Sequence, residues 1–340
     1  MGTELKDIKD TTRLPYLDYA RVFVMYLVIF GHLLLFDDVI IRPYIYSFHM
    51  PFFFLVSGML HKDRNGIAWK KYWKTLIVPF LAFNLLFFIL WPLCWKIGIW
   101  GPSSKFDGSD GLLHIYLIFF KKTFVNLLYG KAPDGPTWFL LALLWCKVLT
   151  DCVCKNKWKA LLLLCILAGF ASFVLFAFKH RTFLRINNAL MVLPFFYGGF
   201  RYKKEIQEWC SKRWALFGGI CLLLLNIPWT LLNGKVSTDA VLFGQLYTPF
   251  CAFAFYINAF SCSLGLLAIC MQLPAKKYVT ISAKALITIL CMQSFFYYIY
   301  RQNCDQTNYL LIAVTAVIIF IACVFIHQLL ERYLPFAVGK

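Results

Sequence analysis

From Leu310 to Leu330 the chain reads LLIAVTAVIIFIACVFIHQLL, without one Asp, Glu, Lys or Arg. A segment like this satisfies its own backbone hydrogen bonds as a helix, and at about 20 apolar residues it can cross the hydrocarbon of a bilayer. The run from about Ala20 to Phe36 approaches that length, and most of the chain between the two repeats the pattern. With 61% hydrophobic against 15% charged residues and a mean hydropathy of +0.69, the chain is an integral membrane protein by composition. The apolar runs are continuous, whereas a barrel strand would alternate polar and apolar over about 10 residues. The expected fold is therefore all-α, a polytopic bundle of about ten transmembrane helices. They begin near residues 19, 44, 75, 136, 160, 187, 214, 247, 284 and 310. Residues 1–340 read as one membrane domain, with a cytoplasmic segment to about residue 18, a cytoplasmic tail from about 332 and no fused soluble domain.

A formal net charge of +18 invites comparison with nucleic-acid binders. The excess instead sits in short connecting loops, as the positive-inside rule requires. With the N-terminus inside, Lys62/Arg64/Lys70/Lys71/Lys74, Lys155/Lys157/Lys159, Arg201/Lys203/Lys204/Lys212/Arg213 and Lys276/Lys277/Lys284 all fall on the cytoplasmic face. Membrane lipid is then the surrounding medium and no nucleic acid is expected. The first apolar run follows Lys6, Lys9 and Arg13 but lacks a small-residue cleavage site, so it reads as a retained helix. The thirteen cysteines lie mostly inside apolar runs and read as small buried hydrophobes, with no metal site among them.

Residues 101–135 break the regular punctuation. A Gly/Ser/Asp turn leads into LLHIYLIFFKKTFVNLLYG, where Lys121 and Lys122 interrupt the apolar stretch. The reading is an interfacial or re-entrant helix on the outer face, with a further crossing as the alternative.

Chemistry concentrates between Asp18 and Leu60, where two apolar segments carry Arg21, His32, His49 and Ser57. Ionisable groups at membrane depth are costly enough to mark function. Arg21 and His32 are eleven residues apart, close to three helical turns and about 16 Å, so both face the same way. Asp18 lies one turn before Arg21, where it can pair with it. Histidine is the side chain best suited to proton transfer near neutral pH, and a core histidine bonded to a carbonyl is the bland alternative. Ser57-Gly58 combines a hydroxyl with a position open to close approach. His49, about two turns outward of Ser57, is an interfacial residue or a second catalytic group.

Arg21 and His32 separated by ten residues, followed by FHMPFFFLVSGM from Phe48 to Met59, resemble the signature of the integral-membrane acyltransferase-three family. SFHMPFFF and Pro136-Thr137-Trp138-Phe139-Leu140 are similar to the branch containing fucose 4-O-acetylases. The resemblance implies transfer of an acyl group, usually acetyl from cytoplasmic acetyl-coenzyme A (acetyl-CoA, or another acyl-CoA), to a hydroxyl of a surface glycan or lipid-linked sugar. It makes His32 the catalytic histidine and Arg21 a coenzyme ligand, with Ser57 shaping the pocket; His49 stays a second catalytic candidate by its position alone. Where relatives carry Arg-x-x-Arg at the start of the third helix, this chain has Lys71-Tyr72-Trp73-Lys74. Lys71 and Lys74 can neutralise phosphate as point charges, without the guanidinium fork. Where many relatives have a histidine in the penultimate helix, this chain has Met292-Gln293-Ser294. A basic outer cluster of Lys179, His180, Arg181 and Arg185 suits an anionic acceptor or a solvated loop. A multi-pass protein of the bacterial cytoplasmic membrane is implied. A secondary transporter and a non-catalytic glycan-export partner are the competing classes.

Overall fold

The computed structural model describes residues 14–97, 135–152, 183–233 and 249–340, apart from isolated positions within them, together with a helical turn at 113–117 and a few single residues. The expected span near 160, nearly all of the outer interfacial helix, and Lys179, His180 and Arg181 lie outside the described residues.

Among the described residues every secondary-structure element is a helix, without strands. The helices are α1 (Pro15–Leu33), α2 (Ile41–Met59), α3 (Trp69–Lys96), α4 (Trp138–Cys152), α5 (Ile186–Arg201), α6 (Lys203–Ser211), α7 (Ala215–Asn233), α8 (Pro249–Met271), α9 (Lys277–Lys284), α10 (Leu286–Asn303) and α11 (Tyr309–Tyr333). Four segments are long and apolar enough to cross a membrane: α1, α3, Ala254–Met271 of α8, and α11. The number reaches six if the bent pairs α6 with Ala215–Pro228 and α9 with α10 are each one span. Ten spans are thus not established. One reason is length, since α5 has 16 residues, below the ~20 that a crossing needs. The face of α11 bearing Leu310, Val314, Val317, Ile321 and Phe325 is exposed, while Ile312, Ala316, Ile319 and Cys323 are buried. An exposed apolar face of this extent belongs against lipid, so the protein is a multi-pass membrane protein.

Local sequence sets the helix limits. Pro15 opens α1, where its missing N–H is no loss. α1 stops at Leu33 because Leu34 turns extended. The Asp38 carboxylate accepts from the backbone N–H of Ile40 (3.2 Å) and of Arg42 (2.9 Å), capping α2. In α3 the residues Trp73–Ile77 form a π segment just before Pro79, so Lys71 and Tyr72 are rotated relative to the helix that follows. The end of the bundle where α1 begins and α2 ends is called basal here, the opposite end apical.

α2 is the central element. It crosses α5 with backbone against backbone: a Cβ on Gly58 would lie 1.9 Å from Phe196 O, and one on Gly199 2.0 Å from Leu55 O. The apolar core closes around this crossing, with Phe52, Phe54, Phe195 and Phe196 fully buried. Phe139 packs its ring on Phe53 and Phe54 at centroid distances of 6.1 and 4.8 Å, so the motif at 136–140 meets the Phe-rich run of α2. Gly219 and Gly265 make a second close crossing, of α7 with α8.

Gly58→Ala and Gly199→Ala are expected to lower the thermal midpoint of the purified protein strongly. Overpacking costs about 1–3 kcal/mol where side chains can yield, and here the obstruction is backbone. Gly218→Ala, whose Cβ meets only the Trp214 ring at 3.5–3.6 Å, should be neutral or stabilising. Equal midpoints for all three would remove the crossing as the organising contact.

Candidate active site

At the apical end, α1 and α2 bring both predicted histidines around one tyrosine. His32 sits in the last turn of α1, nearer the helix end than the expected mid-membrane position, because the helix stops at Leu33. Its Nδ1 is 2.8 Å from the Tyr46 hydroxyl. Tyr297 of α10 stacks on the imidazole at 5.5 Å and 16°. Arg301, whose guanidinium lies 5.3 Å from the Tyr297 ring centre, donates to the backbone carbonyls of His32 (2.6 Å) and Leu34 (3.2 Å). Arg42 lies over Tyr46 at 5.1 Å and donates to Leu35 O at 3.0 Å. Two guanidinium groups thus occupy the carbonyl-rich C-terminus of α1, where the helix dipole favours cations. His49 is buried one turn below Tyr46, its ring edge-on to the tyrosine at 4.9 Å. His49 Nδ1–H donates to Ile45 O at 2.9 Å, which leaves Nε2 of the neutral ring as an acceptor. One turn basal of Tyr297, Gln293 is 1% exposed and its Oε1 has no hydrogen-bond partner among the described residues.

At the basal end, the joint between α2 and α3 meets α4 in a polar pocket of about 140 Å³, lined by Ser57, Leu60, His61, Lys62, Arg64, Lys71, Tyr72 and Lys147. Asp151 lies beside it: its carboxylate accepts from His61 Nε2–H at 2.9 Å and from the Tyr72 hydroxyl at 2.5 Å. Those side chains of His61 and Asp151 are 6% and 1% exposed. Lys147, one turn before Asp151, lies 5.5 Å over the Tyr72 ring. Four basic side chains around a small polar volume, with one acid tied into a hydrogen-bonded bridge, make an anion site suited to phosphate.

Of the predicted coenzyme ligands, the structure brings Ser57 and Lys71 into this pocket. Arg21 instead pairs with Asp18, as their spacing implied, and donates from Nε to Leu17 O at 3.2 Å; it is not among the pocket-lining residues. Lys74 is exposed on the π segment of α3 and does not line the pocket either. The basal expectation thus missed His61, Lys62, Arg64, Lys147 and Asp151 as parts of the site, and the apical one missed Tyr46, Tyr297, Arg42 and Arg301. Arg185, expected in an outer loop, is buried with a left-handed backbone at the start of α5. Among the described residues no group of three or more His, Cys, Asp or Glu side chains could hold a metal ion.

Burial holds the His61 pKa below the ordinary histidine range; Asp151 opposes that effect, and Lys147 and Arg64 reinforce it. As pH falls below about 6.5 the unfolded chain takes up the proton first, so folded stability should decline through that range. The thermal midpoint is expected to fall on acidification, and His61→Gln to flatten the profile. An equally steep profile in the variant would separate His61 from the pH response.

A family model described as an acyltransferase domain matches residues 14–329. No curated protein and no solved structure matches the chain. The match takes in both ends of the bundle, the Tyr46 cluster as well as the lysine-lined pocket, and the chain belongs to the acyltransferase-three family.

Proposed function

We propose that this acyltransferase moves an acetyl group from cytoplasmic acetyl-CoA to a hydroxyl of a surface polysaccharide or lipid-linked sugar. The observation that carries the reading is the pairing on α1 and α2 of a cation-lined pocket at one end with a fixed histidine at the other. From Ser57 to Tyr46 is eleven residues, about 16 Å along α2, which is of the order of an extended pantetheine arm.

In this reading the basal end is cytoplasmic, which also places the basic clusters inside. The phosphates of the donor bind Lys71, Lys147, Arg64 and Lys62, with Arg21 and Lys74 adding charge at the same end. The thioester reaches towards His32. Its imidazole then deprotonates the acceptor hydroxyl for direct attack, or takes the acyl group itself and passes it on. The second route lets donor and acceptor come from opposite faces. The similarity of SFHMPFFF and of 136–140 to the fucose 4-O-acetylase branch supports a sugar acceptor and the envelope of a bacterial cell as the setting.

Two variants divide the roles. Lys147→Ala should raise KM for acetyl-CoA about tenfold or more with kcat nearly kept, since a lost charged contact to the phosphate end is lost equally in ground and transition states. His32→Ala should abolish transfer while the protein stays folded, because alanine suits a helix and the Arg301 bond to the residue 32 carbonyl does not need the imidazole. Mass spectrometry of surface glycans should then show the acetyl increment missing. Glycans acetylated as before in cells carrying only a well-expressed His32→Ala protein would contradict the proposal.

A further inference from the structure

His32 is fixed more tightly than a packing histidine needs to be. Tyr46 meets it edge-on, at 5.7 Å between ring centres and 81°, with the hydroxyl 2.8 Å from Nδ1. That approach depends on Gly31, where a Cβ would come within 3.1 Å of Tyr46 Cε2. Tyr297 covers one face of the imidazole, and Arg301 holds the His32 carbonyl. One nitrogen is therefore engaged and the ring plane is set, which leaves Nε2 as the nitrogen open to a reacting group. The bond made at one ring nitrogen decides the protonation of the other.

We propose that Tyr46 is a positioning residue for acyl transfer: its hydroxyl oxygen accepts Nδ1–H of His32, fixing the tautomer in which Nε2 carries the lone pair. The inference rests on the acyltransfer reading given above. In the direct route, the proton of the acceptor O–H passes to Nε2 as the oxygen bonds to the thioester carbonyl carbon. The C–S bond breaks, and the departing coenzyme sulfur takes the proton from Nε2–H, so the neutral imidazole and its Nδ1–H are restored. Between those events the ring is an imidazolium whose Nδ1–H remains on the Tyr46 oxygen, and no reorientation is required. Orientation of a base in this way acts on the chemical step and leaves donor binding alone.

Tyr46→Phe removes the hydroxyl and keeps the ring that packs on Gly31 and under Arg42. The test uses the full chain in membrane vesicles with labelled acetyl-CoA as donor and the glycolipids of the vesicle as acceptor, comparing wild type, Tyr46→Phe and His32→Gln. The expected result is a kcat lowered about ten- to a hundredfold in Tyr46→Phe, with KM for acetyl-CoA and the thermal midpoint unchanged. Inactive His32→Gln beside fully active Tyr46→Phe would overturn the positioning role and leave the acyltransfer reading standing; active His32→Gln would overturn that reading. A fall in kcat accompanied by an equal loss of folded protein would also overturn the positioning role. Nitrogen-15 NMR of histidine-labelled protein supplies a readout independent of turnover, with the His32 signal assigned by its loss in His32→Gln. The proton is expected on Nδ1 in wild type and shared between the nitrogens in Tyr46→Phe, and a wild-type signal with the proton on Nε2 would overturn the inference.

Discussion

The contact of α2 with α5, glycine against carbonyl on both sides, is what the remainder of the structure depends on. In lipid, helices gain little by hiding apolar surface from each other, so close backbone approach and the dispersion it permits carry the association. Because the crossing involves Gly58 and Gly199 near the basal ends of both helices, it fixes where α2 stops. Three residues further on, His61 is set between the rings of Phe196 and Phe200, at 5.4 Å from each. A shift of that crossing would move His61 off Asp151 and open the pocket that Ser57 helps to line.

Several polar side chains inside the bundle are tied to a specific partner on another element, which offsets the cost of burying them. Asn258 donates to Ser47 Oγ at 2.9 Å, Asn84 to Thr137 Oγ1 at 3.0 Å, and Tyr44 to Leu223 O at 2.9 Å. These bonds pin α2 to α7 and α8, and α3 to the turn before α4. The tail joins in at the basal end: Gly339, at φ +80, brings its backbone within close reach of Thr75, where a Cβ would stand 3.1 Å from the Thr75 Cα. The π segment that turns Lys71 and Tyr72 is thus backed by Gly339, while Asp151, from the side of α4, holds Tyr72 just before it.

Much of this was legible in the sequence where a single helix decides the outcome. Arg21 and His32 share a side of α1 because the helix is continuous over Pro15–Leu33, and the Asp18 pair follows from a three-residue spacing. Helix positions followed from the apolar runs wherever the structure describes them. Helix length did not in every case, since α5, which follows a turn at 183–185, has only 16 residues. Lys147 and Asp151 were opaque for a different reason: their value to the site comes from how α4 meets α2 and α3, which no local pattern encodes. Tyr46 immediately precedes SFHMPFFF, yet only the antiparallel packing of α1 and α2 turns it towards His32.

The central claim is that one donor molecule extends along α2 from the lysine-lined pocket towards His32. It is tested most directly by photo-crosslinking the purified full chain with two acetyl-CoA analogues, one photoreactive on the adenine and one on the acyl group, followed by peptide mapping. The account predicts adenine-probe crosslinks around residues 60–74 and 147–151, and acyl-probe crosslinks around 32, 46 and 297, all lost on competition with unlabelled acetyl-CoA. Adenine-probe crosslinks at the apical end, or both probes mapping to the same end, would contradict it.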